Sequence, residues 1–111
     1  MDIEVKEVKD GAVIYPHGEI DISNVSELQR EITALIERGI TNIVLNLSYV
    51  DHMDSSGIGL IAFDHIKASR NRKSLKLAAV TEEVMRILTI IGLDSVLDIY
   101  DTEEEAIASF S

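Results

Sequence analysis

YVDHMDSSGIGLIAF, Tyr49 to Phe63, joins two stretches of different character. Just before it, Ile43 to Leu47 is β-branched and apolar on both faces, the pattern of a central buried strand. After it, a helix is expected from about Ser55 to Asn71. Its apolar residues Ile58, Leu60, Ile61, Ala62, Phe63 and Ile66 cover more than one stripe, so this helix is expected to be largely buried. The join has the chemistry of a helix start. Asp54 and Ser55 both suit an N-cap, because their oxygens accept bonds from free first-turn N–H groups. Gly57 and Gly59 remove side chains near that start and leave room for another backbone or a large partner group. A hydroxyl placed there is expected to be exposed at the positive end of a helix dipole. Phosphorylation of Ser55 would set about two negative charges beside Asp54, and the helix start would partly stabilise them. The added charge would repel a partner surface shaped for neutral serine, with little change of fold. By spacing alone the same residues also read as a plain helix cap with glycines for tight packing, because short motifs recur by chance.

Working outward, Ile3 and Val5 alternate with Glu4 and Lys6, which predicts a strand with one wet face. Asp10-Gly11 is a hairpin signal. Ala12 to Tyr15 reads as a second strand ended by the only proline, Pro16, and Gly18 to Asp21 as its exit. Ser23 to Arg38 is a helix, with Val25, Leu28, Ile32, Leu35 and Ile36 on one face. Ser23 or Asn24 caps its start, and Gly39 sits at its C-terminal cap. Leu75 to Val80 reads as a strand. Thr81 opens a third helix, with Glu82 and Glu83 in its first turn, Val84, Ile87, Leu88 and Ile91 inside, and Gly92 at its end. Val96 to Tyr100 reads as a short strand, and Thr102 to Phe110 as a last helix with a Thr102–Glu105 capping box. This order implies an α/β fold with a mixed sheet, an antiparallel pair first and parallel strands added to it, covered by helices on at least one face.

The chain has 111 residues, the size of one domain, and no cysteine, so disulfides, thiolate metal sites and cysteine nucleophiles are excluded. A formal charge of −10, from 20 acidic and 10 basic residues, argues against direct nucleic-acid binding and against an anionic membrane surface. No apolar run approaches a membrane span, so no membrane insertion is expected, and the charged start MDIEVKEVKD does not read as a signal peptide. The expected location is cytoplasmic. Lys67, Arg70, Arg72, Lys73 and Lys76 carry half of the basic residues and fall where they would oppose a helix dipole.

MDSSGIGL resembles the M-D-S-S-G-L-G-x segment of anti-sigma factor antagonists, the bacterial STAS-domain proteins. GEID (Gly18 to Asp21) is similar to the family's G-E-L-D, and NIVLNLSYVDHMDSSG (Asn42 to Gly57) to its buried strand, loop and phosphorylatable serine. AAVTEEVMRIL, IIGLDSVLDIY and TEEEAIASF are similar to its last third. The resemblance implies a single STAS domain over residues 1–111, with a mixed β-sheet of four to five strands, an N-terminal antiparallel pair and about four α-helices. It implies partner switching. The unphosphorylated protein binds an anti-sigma factor and frees a sigma factor. That anti-sigma factor, a serine kinase, phosphorylates Ser55 from ATP and is released, and a serine phosphatase resets the cycle. The chain is then a substrate without catalytic residues, cofactor or metal. The implied partner-binding residues are Asp21, Asp54, Ser55, Ser56, Gly57 and Gly59, with Ser56 also structural, and Asn46 is expected to support the loop through a buried hydrogen bond. Asp21 reads equally as a partner contact or as a cap of the first helix. Thr81 aligns loosely with a second phosphorylated threonine of some relatives, but helix capping suffices to explain it. Ile58 stands where leucine is commoner, and His52 departs from the family pattern.

The rival readings are weaker. A serine hydrolase needs glycine where Met53 stands in the G-x-S-x-G elbow, and His17, His52 and His65 form no triad pattern. Asp51, His52 and Asp54 fit no strong metal-ligand spacing. The phosphate-binding G-x-x-x-x-G-K-[ST] is absent, and no acidic pair marks a receiver domain. Within the same fold, the alternative is a non-phosphorylated STAS adaptor of a stressosome or transporter complex.

Overall fold

Alternation of apolar residues places two layers of side chains on either side of a mixed sheet. A computed structural model describes residues 1–110. The elements are β1 (Asp2–Val8), β2 (Gly11–Ile20), α1 (Val25–Glu37), β3 (Asn42–Asn46), β4 (Val50–Met53), α2 (Ser55–Arg70), β5 (Ser74–Ala78), α3 (Glu82–Ile90), a 3-10 turn (Leu93–Ser95), β6 (Ile99–Tyr100) and α4 (Glu103–Ala108). The strand order is β1-β2-β3-β5-β6, with β4 also paired to β2. β1 and β2 are antiparallel, and every other pairing is parallel. This is the α/β architecture expected from the order of elements, with one strand more than expected.

The extra strand explains how the sheet is built. β2 is ten residues long. Its first half pairs with β3 through Ala12–Ile14, and its second half pairs with β4 through Gly18–Ile20. The expectation that β2 ends at Pro16 therefore fails. Pro16 lies opposite Ile3 and between the two parallel partners, so on that edge its missing N–H breaks no bond.

Ile14, Leu45 and Leu77 point to the face covered by α1, α2 and α3, where they join Leu28, Ile32, Leu35, Leu60, Ile61, Val84 and Leu88 in the main core. Val13, Val44 and Ala78 point to the other face and pack under Ala106 of α4. β3 is buried along its whole length, as its two-sided apolar pattern requires. At the end of α1, Gly39 has φ +93°. The Gly39 and Ile40 N–H groups donate to Ile36 and Leu35, closing a Schellman cap. Among the described residues no helix is long and apolar enough to cross a membrane.

Several local expectations change. α2 is not largely buried. Gly57, Leu60, Ile61, Asp64 and Ala68 face inward, while Phe63 and Ile66 are exposed. Its apolar residues lie on two faces, and the sheet covers only one. Asn24 takes the N-cap position of α1 but makes no side-chain cap, because its amide closes the preceding turn instead. Thr81 does not cap α3 with its side chain; its hydroxyl donates to the Val50 carbonyl at 3.0 Å and ties α3 to β4. Lys76 leaves the basic cluster altogether. It is buried on β5 and donates to Asp98 Oδ2 at 2.7 Å.

Asp64 is the one carboxylate of α2 on the inward face. It lines a cavity of about 90 Å³ between α1 and α2, and its Oδ2 is sealed without a hydrogen-bond partner among the described residues. Burial raises its carboxyl above the ordinary range, against smaller opposing effects of Gln29 and Lys67. A raised folded-state value means that the fold favours the protonated form. The resulting stability is complete below the ordinary carboxyl range and is lost as pH rises through the raised value. Asp64→Asn cannot ionise. It is expected to match the parent near about pH 3 and to exceed it at neutral pH by roughly 1–3 kcal/mol in urea denaturation. A constant difference across that range would contradict this assignment.

Candidate functional site

β2 and β4 end side by side. The Asp54 N–H donates to the Ile20 carbonyl at 3.1 Å, so the segments that follow the two strands leave the sheet together. One is the turn Asp21–Asn24 ahead of α1, and the other is the start of α2. The carboxyl ends of parallel strands are where open α/β sheets receive ligands and partners.

The side chain of Asp54 binds both segments. Oδ1 accepts from the Ser56 N–H at 2.9 Å and the Gly57 N–H at 3.3 Å, which caps α2. Oδ2 accepts from the Ile22 N–H at 3.1 Å in the neighbouring turn. Sequence offered Asp54 and Ser55 as alternative caps, and the structure gives the role to Asp54. The hydroxyl of Ser55 is thereby free of that duty. Ser55 is the first residue of α2 and is exposed, and Ser56 beside it is half-buried.

The two glycines differ. Gly57 is buried, and a Cβ there would stand 2.5 Å from Met53 Cγ and 2.8 Å from Ile20 Cγ2. Its lack of a side chain lets α2 sit directly on the ends of β2 and β4. Gly59 is exposed, and a Cβ there would meet nothing within 4 Å among the described residues. No packing among the described residues accounts for glycine at this position.

Asp21 closes its own turn. Its Oδ1 accepts from the Ser23 N–H at 2.9 Å and from the Ser23 hydroxyl, and its N–H donates to Asn24 Oδ1 at 2.9 Å. The Ser23 hydroxyl bond lowers its carboxyl below the ordinary range, with backbone N–H groups and His52 adding to the effect against desolvation. The side chain does not cap α1. Asn46, at the end of β3, accepts from the Ser48 N–H at 3.0 Å and the Ser48 hydroxyl at 2.7 Å. Its amide donates to Glu103 Oε1 at 3.0 Å. These bonds fold the short turn between β3 and β4, so Asn46 sets the entry of β4 while Asp54 sets its exit.

Asp21, Asp54, Ser55, Ser56, Gly57 and Gly59 thus gather at one end of the sheet, with Asn46 one turn behind. Ile22 joins them and was not singled out from sequence. It is 76% exposed, and its backbone is fixed by Asp54. The available signal was an isolated isoleucine between two polar turn residues, outside the apolar stripe of α1. The β3–β4 turn also carries Tyr49, stacked on His17 with ring centroids 4.4 Å apart, and its carbonyl accepts from the Gly18 N–H at 2.9 Å.

Known proteins share this arrangement of elements. A model of the STAS domain matches residues 2–106. The anti-sigma-B factor antagonist of Staphylococcus aureus is 31% identical over 87 residues, 78% of this chain and 81% of that protein. A solved structure of a candidate anti-sigma factor antagonist from Thermotoga maritima is similar at TM-score 0.88 and 29% identity, covering 96% of this chain and 92% of that one. The Bacillus cell fate determinant SpoIIAA, an anti-sigma factor antagonist, has been solved in two forms. The unphosphorylated form is similar at TM-score 0.75 and 25% identity, covering 96% of each chain. The phosphorylated form is similar at 0.73 and 26%, covering 96% of this chain and 97% of that one.

The two glycines make a direct test. Gly57→Ala forces its methyl into Met53 and Ile20 and is expected to cost roughly 1–3 kcal/mol of stability. Gly59→Ala meets open space on a helix and is expected to add up to about 1 kcal/mol. Urea denaturation of both variants checks the pair, and equal effects of the same sign would contradict the packing described.

Proposed function

The chain belongs to the STAS domain family, and from that premise we propose that it works as a phosphorylation-controlled partner switch among the anti-sigma factor antagonists. In its unphosphorylated form it binds an anti-sigma factor and frees a sigma factor. The anti-sigma factor is a serine kinase that phosphorylates Ser55 from ATP, and the modified chain lets go. A serine phosphatase restores it. The cycle runs in the cytoplasm, and the chain acts in it as a substrate with no chemistry of its own.

One observation carries this reading: Ser55 stands exposed at the start of α2 while Asp54 alone holds the cap. A kinase can take the hydroxyl without removing any bond that holds the loop. A phosphate at the first helical residue lies at the positive end of the helix, so the fold tolerates it. The same phosphate adds about two negative charges to a surface that already carries Asp21 and Asp54. A partner face built to meet a neutral serine then loses its contact and gains repulsion. The solved phosphorylated and unphosphorylated forms of SpoIIAA support a cycle of this kind.

In this proposal Asp21 and Ile22 present the second half of the contact surface. Ser56 and Gly57 hold the shape of the helix start. Gly59 leaves a bare place for the partner beside Ser55, which accounts for a glycine that no packing among the described residues explains.

Incubation with the partner kinase and ATP is expected to place phosphate on Ser55, located by tandem mass spectrometry, and Ser55→Ala is expected to abolish it. Phosphate on a different residue would reject the assignment. In calorimetry Ser55→Ala should bind the anti-sigma factor like the parent, while Ser55→Asp should bind more weakly by on the order of 2–5 kcal/mol. Equal affinities of the two variants would count against release by charge.

A further inference from the structure

An α-helix advances about 100° and 1.5 Å per residue, which sorts the residues of α2 by direction. Gly57, Leu60, Ile61, Asp64 and Ala68 are buried against the sheet and α1. Ser55, Gly59, Phe63, Ile66 and Arg70 fall on the opposite side, within an arc of about 80°. All five are exposed. Phe63 is 63% exposed and Ile66 46%. Single exposed apolar residues need no explanation. Here two large ones share a face with Ser55, and the glycine between leaves the helix backbone bare.

We propose that this face of α2 is a docking strip for the same serine kinase that modifies Ser55, with Phe63 as its main anchor. The inference rests on the partner-switch reading and extends it from the modified residue to the surface that recognises it. The helix itself dictates the occupant. A kinase that brings the γ-phosphate of ATP to Ser55 must approach the exposed side of α2 that carries it. Its body then overlies Gly59 first and reaches Phe63, about 12 Å along the axis from Ser55. Side chains at Gly59 would hold the two surfaces apart, and the bare backbone lets them close. Lys67 and Arg70 stand in the last turn of α2, so this end of the strip is basic although the chain as a whole carries −10. The matching kinase surface is an apolar patch beside its ATP cleft, bordered by carboxylates that face Lys67 and Arg70.

Phe63→Ala tests this on a residue whose exposure leaves the core intact. In calorimetry on the Ser55→Ala background, Phe63→Ala is expected to weaken kinase binding about tenfold or more, the effect of truncating an anchor residue. In steady-state phosphorylation of Ser55 it is expected to raise KM with kcat little changed, because Phe63 touches no reacting atom. Ile90→Ala serves as control, since Ile90 is 77% exposed at the far end of α3 and lies outside the strip. Unchanged affinity and KM for Phe63→Ala, with phosphate still delivered to Ser55, would overturn the docking strip and leave the switch standing. Equal weakening by Ile90→Ala would overturn it as well. Sedimentation velocity showing a dimer that Phe63→Ala dissolves would assign the strip to a second copy of the chain and reject the kinase as its occupant. Absence of phosphate on Ser55 in the unaltered chain would overturn both readings.

Discussion

The carboxylate of Asp54 holds three backbone N–H groups from two separate parts of the chain. One oxygen caps α2, and the other fixes the turn that leads into α1. Hydrogen bonds to a charged acceptor contribute more than neutral ones, roughly 1.5–3 kcal/mol each. Removing this side chain would release the first turn of α2 and the Ile22 turn together. The β2–β4 pairing prepares the position, because the Asp54 N–H is itself bonded to Ile20 at the end of β2. Ser55 inherits its exposure from this arrangement. It follows a cap that already satisfies the helix start, so the exposed Ser55 has no structural duty as a cap.

Packing below the cap supports the proposal that added charge at Ser55 would act outward. Gly57 brings α2 against Met53 and Ile20, both buried in the main core. That contact leaves the helix little room to shift inward. On the outer side Gly59 faces open space. The two glycines, two residues apart, thus serve opposite surfaces of one helix. In the proposed switch, a phosphate placed between a fixed inner face and an open outer one would alter what a partner meets before it altered the fold.

Much of this was legible in the sequence. The two-sided apolar run Ile43–Leu47 and the helical spacing on either side of it specify an α/β sheet with its helices in order, and M-D-S-S-G is the segment on which the proposed site rests. Other features depend on pairing at a distance. β4 shows no strand pattern in sequence, because Val50–Met53 exposes its two middle residues and has only four positions. β2 ran through Pro16 because the gap between its two parallel partners falls there. Hydropathy counts Phe63 and Ile66 toward a buried α2, but the sheet covers only one side of that helix. The place of Ile22 depends on Asp54, which holds its backbone from 32 residues away. Thr81 read as a cap, but a buried carbonyl at Val50 offered its hydroxyl a better partner.

The central claim is that phosphate on Ser55 changes the surface and leaves the fold. Amide chemical shifts of the isolated chain, recorded by solution NMR before and after phosphorylation, test it without any partner. The account predicts shifts confined to the Ile20–Asn24 turn and to Met53–Gly59. Shifts spread through β5, α3 and α4 would mean that the modification works by refolding the protein, and would contradict it.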